Sequence, residues 1–427
     1  MKITKQFAGR QWLVSQEDRN INSALTKIPA ILNGRCQRCN SLARGRLPTG
    51  TSYCRECLGL GRASSNQYLV RDEQVAHFRH VVGGGLRWQG QLTPPQAQVS
   101  QQLQANFKVQ RDTLVQAVTG AGKTEMVFGI LAAAFEQGKR VAIASPRLDV
   151  VNELYLRLQP VFRSIQIGKY HGQMATVVQL DQLVVCTTHQ LLKFYHAFDL
   201  LIIDEVDAFP YAGNAMLQFA AQQAVKPSGM TTYLTATPPG SLLAQVASGE
   251  LAVVTLKRRF HGGRLPVPEE RLLLRPYIQC GHLHARLLAD VLTAQQAGHP
   301  LLLFVPRIAE IPIYLAALSQ VVELQNYAMA GVFAADPQRL DKITAFRAGK
   351  LALLVTTTIL ERGVTFPHVW VLVVAADDPL YTTASLVQLA GRVGRAADDP
   401  TGRVAYYYHR YTQVLRACQA TIRGLNQ

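Results

Sequence analysis

The most constraining feature of this chain is a twice-repeated alternation of short, unbroken apolar runs with amphipathic stretches. In the first series the runs are TLVQAV (113–118), RVAIAS (140–145), LVVCTT (183–188), DLLIID (199–204) and TTYLTAT (231–237). Stretches such as 124–137 and 148–159 between them carry helical periodicity. An apolar run without polar alternation reads as a strand buried on both faces, and such strands alternating with helices make a parallel sheet. The second series is PLLLFV (300–305), VVELQNY (321–327), LALLVTT (351–357), VWVLVVAA (369–376) and RVAYYY (403–408). Two series imply two α/β domains in tandem. The basic, Pro/Gly-containing stretch KRRFHGGRLPVPEE (257–270) between them reads as a linker or interdomain loop. The expected division is 1–85, 86–255 and 256–427, with Gly83-Gly84-Gly85 as a hinge or turn closing the first segment.

The first segment is small and polar, and it holds four of the seven cysteines. Cys36-x-x-Cys39 and Cys54-x-x-Cys57 are separated by 14 residues, a spacing that lets two knuckles supply four thiolates to one tetrahedral Zn²⁺. A segment with so little apolar material needs the metal for folding energy. An iron–sulfur cluster is the alternative occupant. Arg35, Arg38, Arg44, Arg46 and Arg55 surround the cysteines, as nucleic-acid contacts, as a solvated basic face or as a docking surface. The unpaired Cys186, Cys280 and Cys418 are expected to be buried and inert.

Residues 117–124, AVTGAGKT, follow an apolar run and precede a helical stretch. Such a glycine-rich turn points backbone N–H groups of Thr119, Gly120, Ala121 and Gly122 at phosphate oxygens. Lys123 would reach the β- and γ-phosphates of ATP, and the Thr124 hydroxyl would bind Mg²⁺. The first position of the general G-x-x-x-x-G-K-[ST] pattern is Ala117 here. Roughly 80 residues on, LLIIDEVDAF (200–209) ends a strand in carboxylates, at the edge where open α/β sheets bind ligands. Asp204 suits Mg²⁺, Glu205 suits deprotonation of the attacking water, and Asp207 suits coupling to neighbouring segments. QLAGRVGR (388–395) places Arg392 and Arg395 about one helical turn apart, as a pair facing a γ-phosphoryl group.

Net charge is +16, from 44 Lys plus Arg against 28 Asp plus Glu, which favours a polyanionic partner. No apolar run reaches the roughly 20 residues that span a bilayer, and the N-terminus lacks the apolar core of a signal peptide. The chain is therefore expected in the cytoplasm, with docking at the inner face of the membrane left open.

In order, these strings resemble the motifs of superfamily-two helicases over residues 90 to 400. The resemblance implies two RecA-like parallel-sheet motor domains in tandem, behind a small zinc-binding module of four cysteines. LTPPQ (92–96) matches the glutamine element, so Gln96 would read adenine. AVTGAGKT and DEVD match motifs I and II, and Ala117 is a common variant in that class. Thr235-Ala236-Thr237 matches motif III, the link between ATP and nucleic acid. TTTILERGVTF (356–366) matches motif V through Glu361, Arg362 and Gly363, and QLAGRVGR matches motif VI. Nucleic-acid contacts implied by motif position are Pro146, Arg147, Thr187, Thr188, Thr356 and Thr357. CTTHQLLKFYHAFDLLIIDEVDAFPY (186–211) and the four cysteines are similar to the bacterial late-competence family ComFA. That family implies an ATPase stimulated by single-stranded DNA, acting in DNA import with a phosphoribosyltransferase-like companion and a membrane channel. A duplex-unwinding restart or repair helicase is a competing expectation. So is a scaffold that binds nucleotide without hydrolysis, although the set Lys123, Glu205, Arg392 and Arg395 argues against it.

Overall fold

A computed structural model of the chain describes residues 7–18, 22–172, 179–363, 365–396 and 398–426. Two units divide it: Met1–Gln116 with Lys123–Leu256, and Ala117–Gly122 with Lys257–Gln427.

In the first unit, β1 (Gln11–Ser15), β2 (Thr26–Pro29) and, after four short strands, β7 (Gln67–Arg71) form an antiparallel sheet in the order β1-β7-β2. The short strands make two hairpins, β3 (Ile31–Leu32) with β4 (Arg35–Cys36), and β5 (Gly45–Arg46) with β6 (Ser52–Tyr53). Each hairpin presents one cysteine pair. This module shares a core with the parallel sheet of the same unit. Arg10, 4% exposed, lies over the Tyr170 and Phe194 rings at 4.8 and 4.3 Å. Arg140, 1% exposed, donates to the Ala8 carbonyl at 2.7 Å and the Asp181 carbonyl at 3.0 Å. Gly83, Gly84 and Gly85 form a tight turn with all three φ positive. It is a packed turn rather than a hinge, because a Cβ on Gly84 would lie 2.2 Å from the Ala132 carbonyl oxygen.

The elements that follow are α1 (Pro94–Lys108), β8 (Thr113–Ala117), α2 (Lys123–Met126), α3 (Phe128–Glu136), β9 (Val141–Ser145), α4 (Leu148–Val161), β10 (Ile167–Tyr170), β11 (Leu183–Thr187), β12 (Phe198–Asp204), α5 (Ala215–Ala224), β13 (Val225–Thr235), α6 (Gly240–Ala247) and β14 (Ala252–Leu256). Seven strands form one sheet in the order β10-β11-β9-β12-β13-β8-β14, parallel from β10 through β8. The central strands are buried along their length, as their unbroken apolar text requires; Leu200, Leu201, Ile202 and Ile203 are each 0% exposed.

The second unit contains β15 (Glu269–Leu272), β16 (Ile278–Gln279), β17 (His282–Leu283), α7 (Ala285–Gln296), β18 (Leu301–Phe304), α8 (Ile311–Ser319), β19 (Met329–Val332), α9 (Arg339–Arg347), β20 (Leu353–Thr356), β21 (Trp370–Val373), α10 (Thr383–Ala390), β22 (Val404–Tyr408) and α11 (Gln413–Leu425). A parallel sheet runs β15-β22-β21-β18-β20-β19.

Several expectations change here. The run 321–327 is not a strand. It closes α8 in successive tight turns (Val321 N–H to Leu318, Leu324 to Val321, Tyr327 to Leu324), and the strand is β19, two residues later. The stretch 257–270 is not wholly a linker: its end starts β15, where Glu269 pairs with Arg403 at 2.9 Å. Tyr406, Tyr407 and Tyr408 are buried, because β22 lies between β15 and β21. Cys280 is exposed. It sits with Gly281 in the turn joining β16 to β17, at φ +49 and +80. Cys186 and Cys418 are buried as expected, and burial pushes both thiols up to about 12. No described helix is long and apolar enough to cross a membrane.

Candidate active site and metal centre

Parallel pairing brings the ends of β9, β12, β13 and β8 to one edge of the first sheet, side by side in that order. The registers align Asp204 with Leu234 and Gln116 with Thr235. The DEVD turn, the TAT turn and the glycine loop therefore all leave the sheet at its carboxyl edge, the edge where such sheets bind ligands.

In the loop after β8, Gly120 and Gly122 have φ +82 and +76, values that side-chain-bearing residues rarely adopt. Such reversals are what an anion-binding nest requires, although the Ala121 N–H here donates to the Val118 carbonyl at 3.1 Å. Helix α2 starts at Lys123 and continues through Val127, itself in helical conformation, into α3. The Thr124 hydroxyl accepts from Arg157 at 3.3 Å. Gln96 is the third residue of α1, 5% exposed. Its amide oxygen accepts from the Thr93 N–H at 2.9 Å, so a capping box fixes its side chain.

Strand β12 ends on Asp204. The Asp204 carboxylate accepts from the Glu205 N–H at 2.9 Å, and Glu205 takes φ +57. A non-glycine residue held there stores roughly 1–3 kcal/mol, strain that persists where surroundings over-determine it. The Glu205 carboxylate is 4.0 Å from Arg147 Nε. The Asp207 carboxylate accepts from the hydroxyls of Thr235, at 2.7 Å, and Thr237. The Thr237 N–H donates in turn to the Thr235 hydroxyl at 3.0 Å. Asp207 thus ties the carboxylate turn to the TAT turn. A hydroxyl (Thr124) and a carboxylate (Asp204) are the hard oxygen donors that Mg²⁺ takes alongside phosphate.

In the second unit, α10 ends at Ala390 and is capped by Gly391, so Arg392 and Arg395 lie beyond the helix. The two arginines therefore do not share a helical face: Gly391 closes the helix and Gly394, at φ +66, turns the chain again. Arg392, 1% exposed, donates from Nε to the Glu361 carbonyl at 3.0 Å, and Arg395 Nε donates to the Gly391 carbonyl at 3.0 Å. Glu361 also receives the Ser385 hydroxyl at 2.6 Å and lies 3.3 Å from Arg362 Nε. The segment with Glu361, Arg362 and Gly363 is in this way fastened to α10 and to the arginine turn.

Among the residues expected at nucleic acid, Arg147, Thr187 and Thr357 are partly exposed, and Pro146 is buried. The side chains of Thr188 and Thr356 are fully buried, and the Thr356 hydroxyl donates to the Val332 carbonyl at 2.9 Å.

The sulfurs of Cys36, Cys39, Cys54 and Cys57 lie within 4.8 Å of one another, with Cys36–Cys57 at 3.8 Å and Cys39–Cys54 at 3.5 Å. A Zn–S bond near 2.3 Å in a tetrahedron sets sulfur–sulfur edges of about 3.8 Å, so the set fits Zn²⁺. Sequence reasoning grouped Arg38 with the surface arginines. It is instead 4% exposed, donating to Cys57 Sγ at 2.9 Å and to the carbonyls of Cys57, Leu60 and Gly61. Its charge leans on the thiolates and its fork closes the second knuckle. Arg35, Arg44, Arg46 and Arg55 are exposed.

A family model for DEAD/DEAH box helicases matches residues 93–246, and one for the helicase conserved C-terminal domain matches residues 283–397. The competence protein ComFA of Streptococcus pneumoniae is 40% identical, over 100% of this chain and 99% of its own length. The Bacillus subtilis protein of the same name is 36% identical over 88% of this chain and 80% of its own. Among solved structures, the Mycobacterium smegmatis helicase Lhr bound to ssDNA and AMP-PNP matches with a TM-score of 0.58 at 17% identity, covering 79% of this chain and 50% of that one. The solved structure speaks for the fold, two RecA-like parallel-sheet domains. The family matches and relatives give the enzyme class, an ATP-dependent helicase or translocase.

Proposed function

This chain belongs to the competence protein ComFA family, and we propose that it is a motor stimulated by single-stranded DNA, which it pulls inward during natural transformation. The observation that carries this reading is the Asp207 bridge to Thr235 and Thr237. A hydrolytic turn fastened to a second turn is how occupancy of a nucleotide site reaches another surface; a site that only binds nucleotide has no use for it.

The proposed roles are those that the helicase motifs imply for these residues. Amides of Thr119, Gly120, Ala121 and Gly122, with the Lys123 ammonium, hold the phosphates, and Gln96 reads the adenine. Thr124 and Asp204 would hold Mg²⁺, which would supply neutralising charge at the phosphates. Glu205 takes a proton from water as the water oxygen bonds to the γ-phosphorus. The bond from that phosphorus to the ADP oxygen breaks, and the proton leaves with phosphate. Arg392 and Arg395 balance charge on the transferring group. Arg147, Thr187 and Thr357, with main-chain groups at Pro146, Thr188 and Thr356, hold the phosphates of the strand. Binding is then nearly sequence-neutral and salt-sensitive. Zn²⁺ at the four cysteines is structural. Docking to a phosphoribosyltransferase-like companion and to the uptake channel at the inner membrane face belongs to the same reading.

The test is ATP hydrolysis at fixed salt with no nucleic acid, single-stranded DNA, duplex DNA or single-stranded RNA. Stimulation by single-stranded DNA above the others is expected. Equal stimulation by duplex or RNA refutes the uptake-motor reading, and absence of hydrolysis throughout refutes the site.

A further inference from the structure

Arg259 is a buried cation to which the reaction above gives no task. In the basic run Lys257-Arg258-Arg259, the first two residues are exposed while Arg259 is 3% exposed. Its guanidinium donates through Nη1 to the carbonyls of Val393 and Gly394 and through Nη2 to that of Gly391 at 3.1 Å. These carbonyls belong to the turn that carries Arg392 and Arg395. The Gly391 carbonyl is also the acceptor for Arg395 Nε, so Arg259 and Arg395 are joined through one oxygen.

His261 adds a second attachment. Its Nδ1 accepts from the Gly263 N–H at 3.2 Å, which leaves the proton on Nε2, and Nε2 lies 3.0 Å from the Gly394 carbonyl. Gly394 is required for this approach: a Cβ there would lie 2.4 Å from the Pro400 carbonyl oxygen and 3.0 Å from Arg259 Nη1.

We propose that Arg259 is a positioning residue for ATP hydrolysis, holding the turn 391–395 so that Arg392 and Arg395 stand at their working geometry, with His261 as its second anchor. The proposal rests on reading Arg392 and Arg395 as the arginines of phosphoryl transfer. Packing alone gives a poor account of the residue. Burial and the neighbouring Arg395 pull its guanidinium down to about 9, so the charge is kept at neutral pH but is costly where it sits. A neutral donor would satisfy helix-end carbonyls at smaller desolvation cost. What a guanidinium adds is a planar fork that reaches three carbonyls at once and fixes the turn's shape.

The experiment uses the full chain, stimulated by nucleic acid, with Arg259→Met, Arg259→Lys, Arg392→Ala, Arg395→Ala and the doubles of each Arg259 variant with Arg395→Ala. A displacement near 1 Å at a catalytic group costs up to about a hundredfold. Arg259→Met is expected to lower kcat by about tenfold or more while KM for ATP and the affinity for a fluorescent ADP stay within about threefold. Arg259→Lys recovers part of the loss. In the Arg395→Ala background the Arg259 substitutions add nothing further, because what they position is gone. A kcat near wild type, or losses that multiply with that of Arg395→Ala, overturns the proposal. If Arg259→Met does not fold, the cycle with Arg259→Lys decides by the same criterion. Unchanged kcat in both Arg392→Ala and Arg395→Ala instead marks failure of the underlying reading, independent of Arg259.

Discussion

Substituting Asp207 by alanine removes the acceptor of two hydroxyl donors at once. A hydrogen bond to a charged group contributes about 1.5–3 kcal/mol. Asp207 is half-buried, which argues for the lower end, whereas the Thr235 hydroxyl is fully buried and loses this acceptor. The bridge is thus expected to hold the two turns together by about 3 kcal/mol, roughly a hundredfold in the balance between joined and separate arrangements. Asp204, the last residue of β12, and Glu205, which donates its N–H to it, stay in place, so basal ATP hydrolysis by Asp207→Ala should persist while stimulation by nucleic acid falls toward unity. The assay is steady-state hydrolysis with and without saturating single-stranded DNA, in wild type, Asp207→Ala, the Thr235→Val/Thr237→Val pair and the combined variant. The combined variant should be no worse than either parent. Stimulation as in wild type by Asp207→Ala refutes the coupling role; equal loss of basal and stimulated rates shows that Asp207 serves the chemistry itself.

Lys123→Ala is expected to abolish turnover with affinity for single-stranded DNA changed less than about threefold, measured by fluorescence anisotropy; retained turnover refutes the phosphate-loop assignment. Cys36→Ser should bring zinc, measured by elemental analysis, from about one per chain toward none, and lower the melting temperature of the whole first unit, since the cysteines share its core. Unchanged zinc content refutes the ligand set. Of the three unpaired cysteines, Cys280 alone should react with iodoacetamide in the native protein at pH 8: Cys186 and Cys418 are buried with thiols raised to about 12, so their reactive thiolate stays scarce until far higher pH. Mass spectrometry of the alkylated protein checks this, and labelling of Cys186 at a comparable rate contradicts the burial.

The elements legible in the sequence are those whose text is either periodic or chemically singular. Strand β12 could be read because its centre, residues 200–203, is covered on both faces and wholly apolar, and its carboxyl end is where Asp204 and the following Glu205 stand. The cysteine pairs and the glycine loop could be read because few other arrangements need them. Strand β19 could not: MAGV is short and carries a glycine, and what makes it a strand is pairing with β20, a contact 24 residues distant that local text does not hold. The more apolar run before it is consumed in closing α8. The arginine turn misleads for a related reason. Spacing of three suggests a helical face only while the helix continues, and Gly391 ends it. The turn signal GRVGR is present, with two glycines three apart, and weighing it above the spacing would have placed both arginines off the helix.

Arg38 and Arg259 show where reading stops altogether. Each sits in a basic run, and a basic run on average is a solvated face. Nothing local distinguishes Arg38 from Arg35, or Arg259 from Arg258, because the difference is which guanidinium finds a cage of carbonyls supplied from elsewhere: Cys57, Leu60 and Gly61 in one case, Gly391, Val393 and Gly394 in the other. In both cases the cage is a turn adjoining a candidate site, the four-cysteine cluster or the turn of Arg392 and Arg395. A buried guanidinium bonded to carbonyls rather than to a carboxylate keeps its full desolvation cost, so it is a poor device for stability and a good one for shape. Arg38 and Arg259 therefore hold the shape of the turns they enter, whereas Arg10 and Arg140, equally buried, tie the N-terminal module to the core.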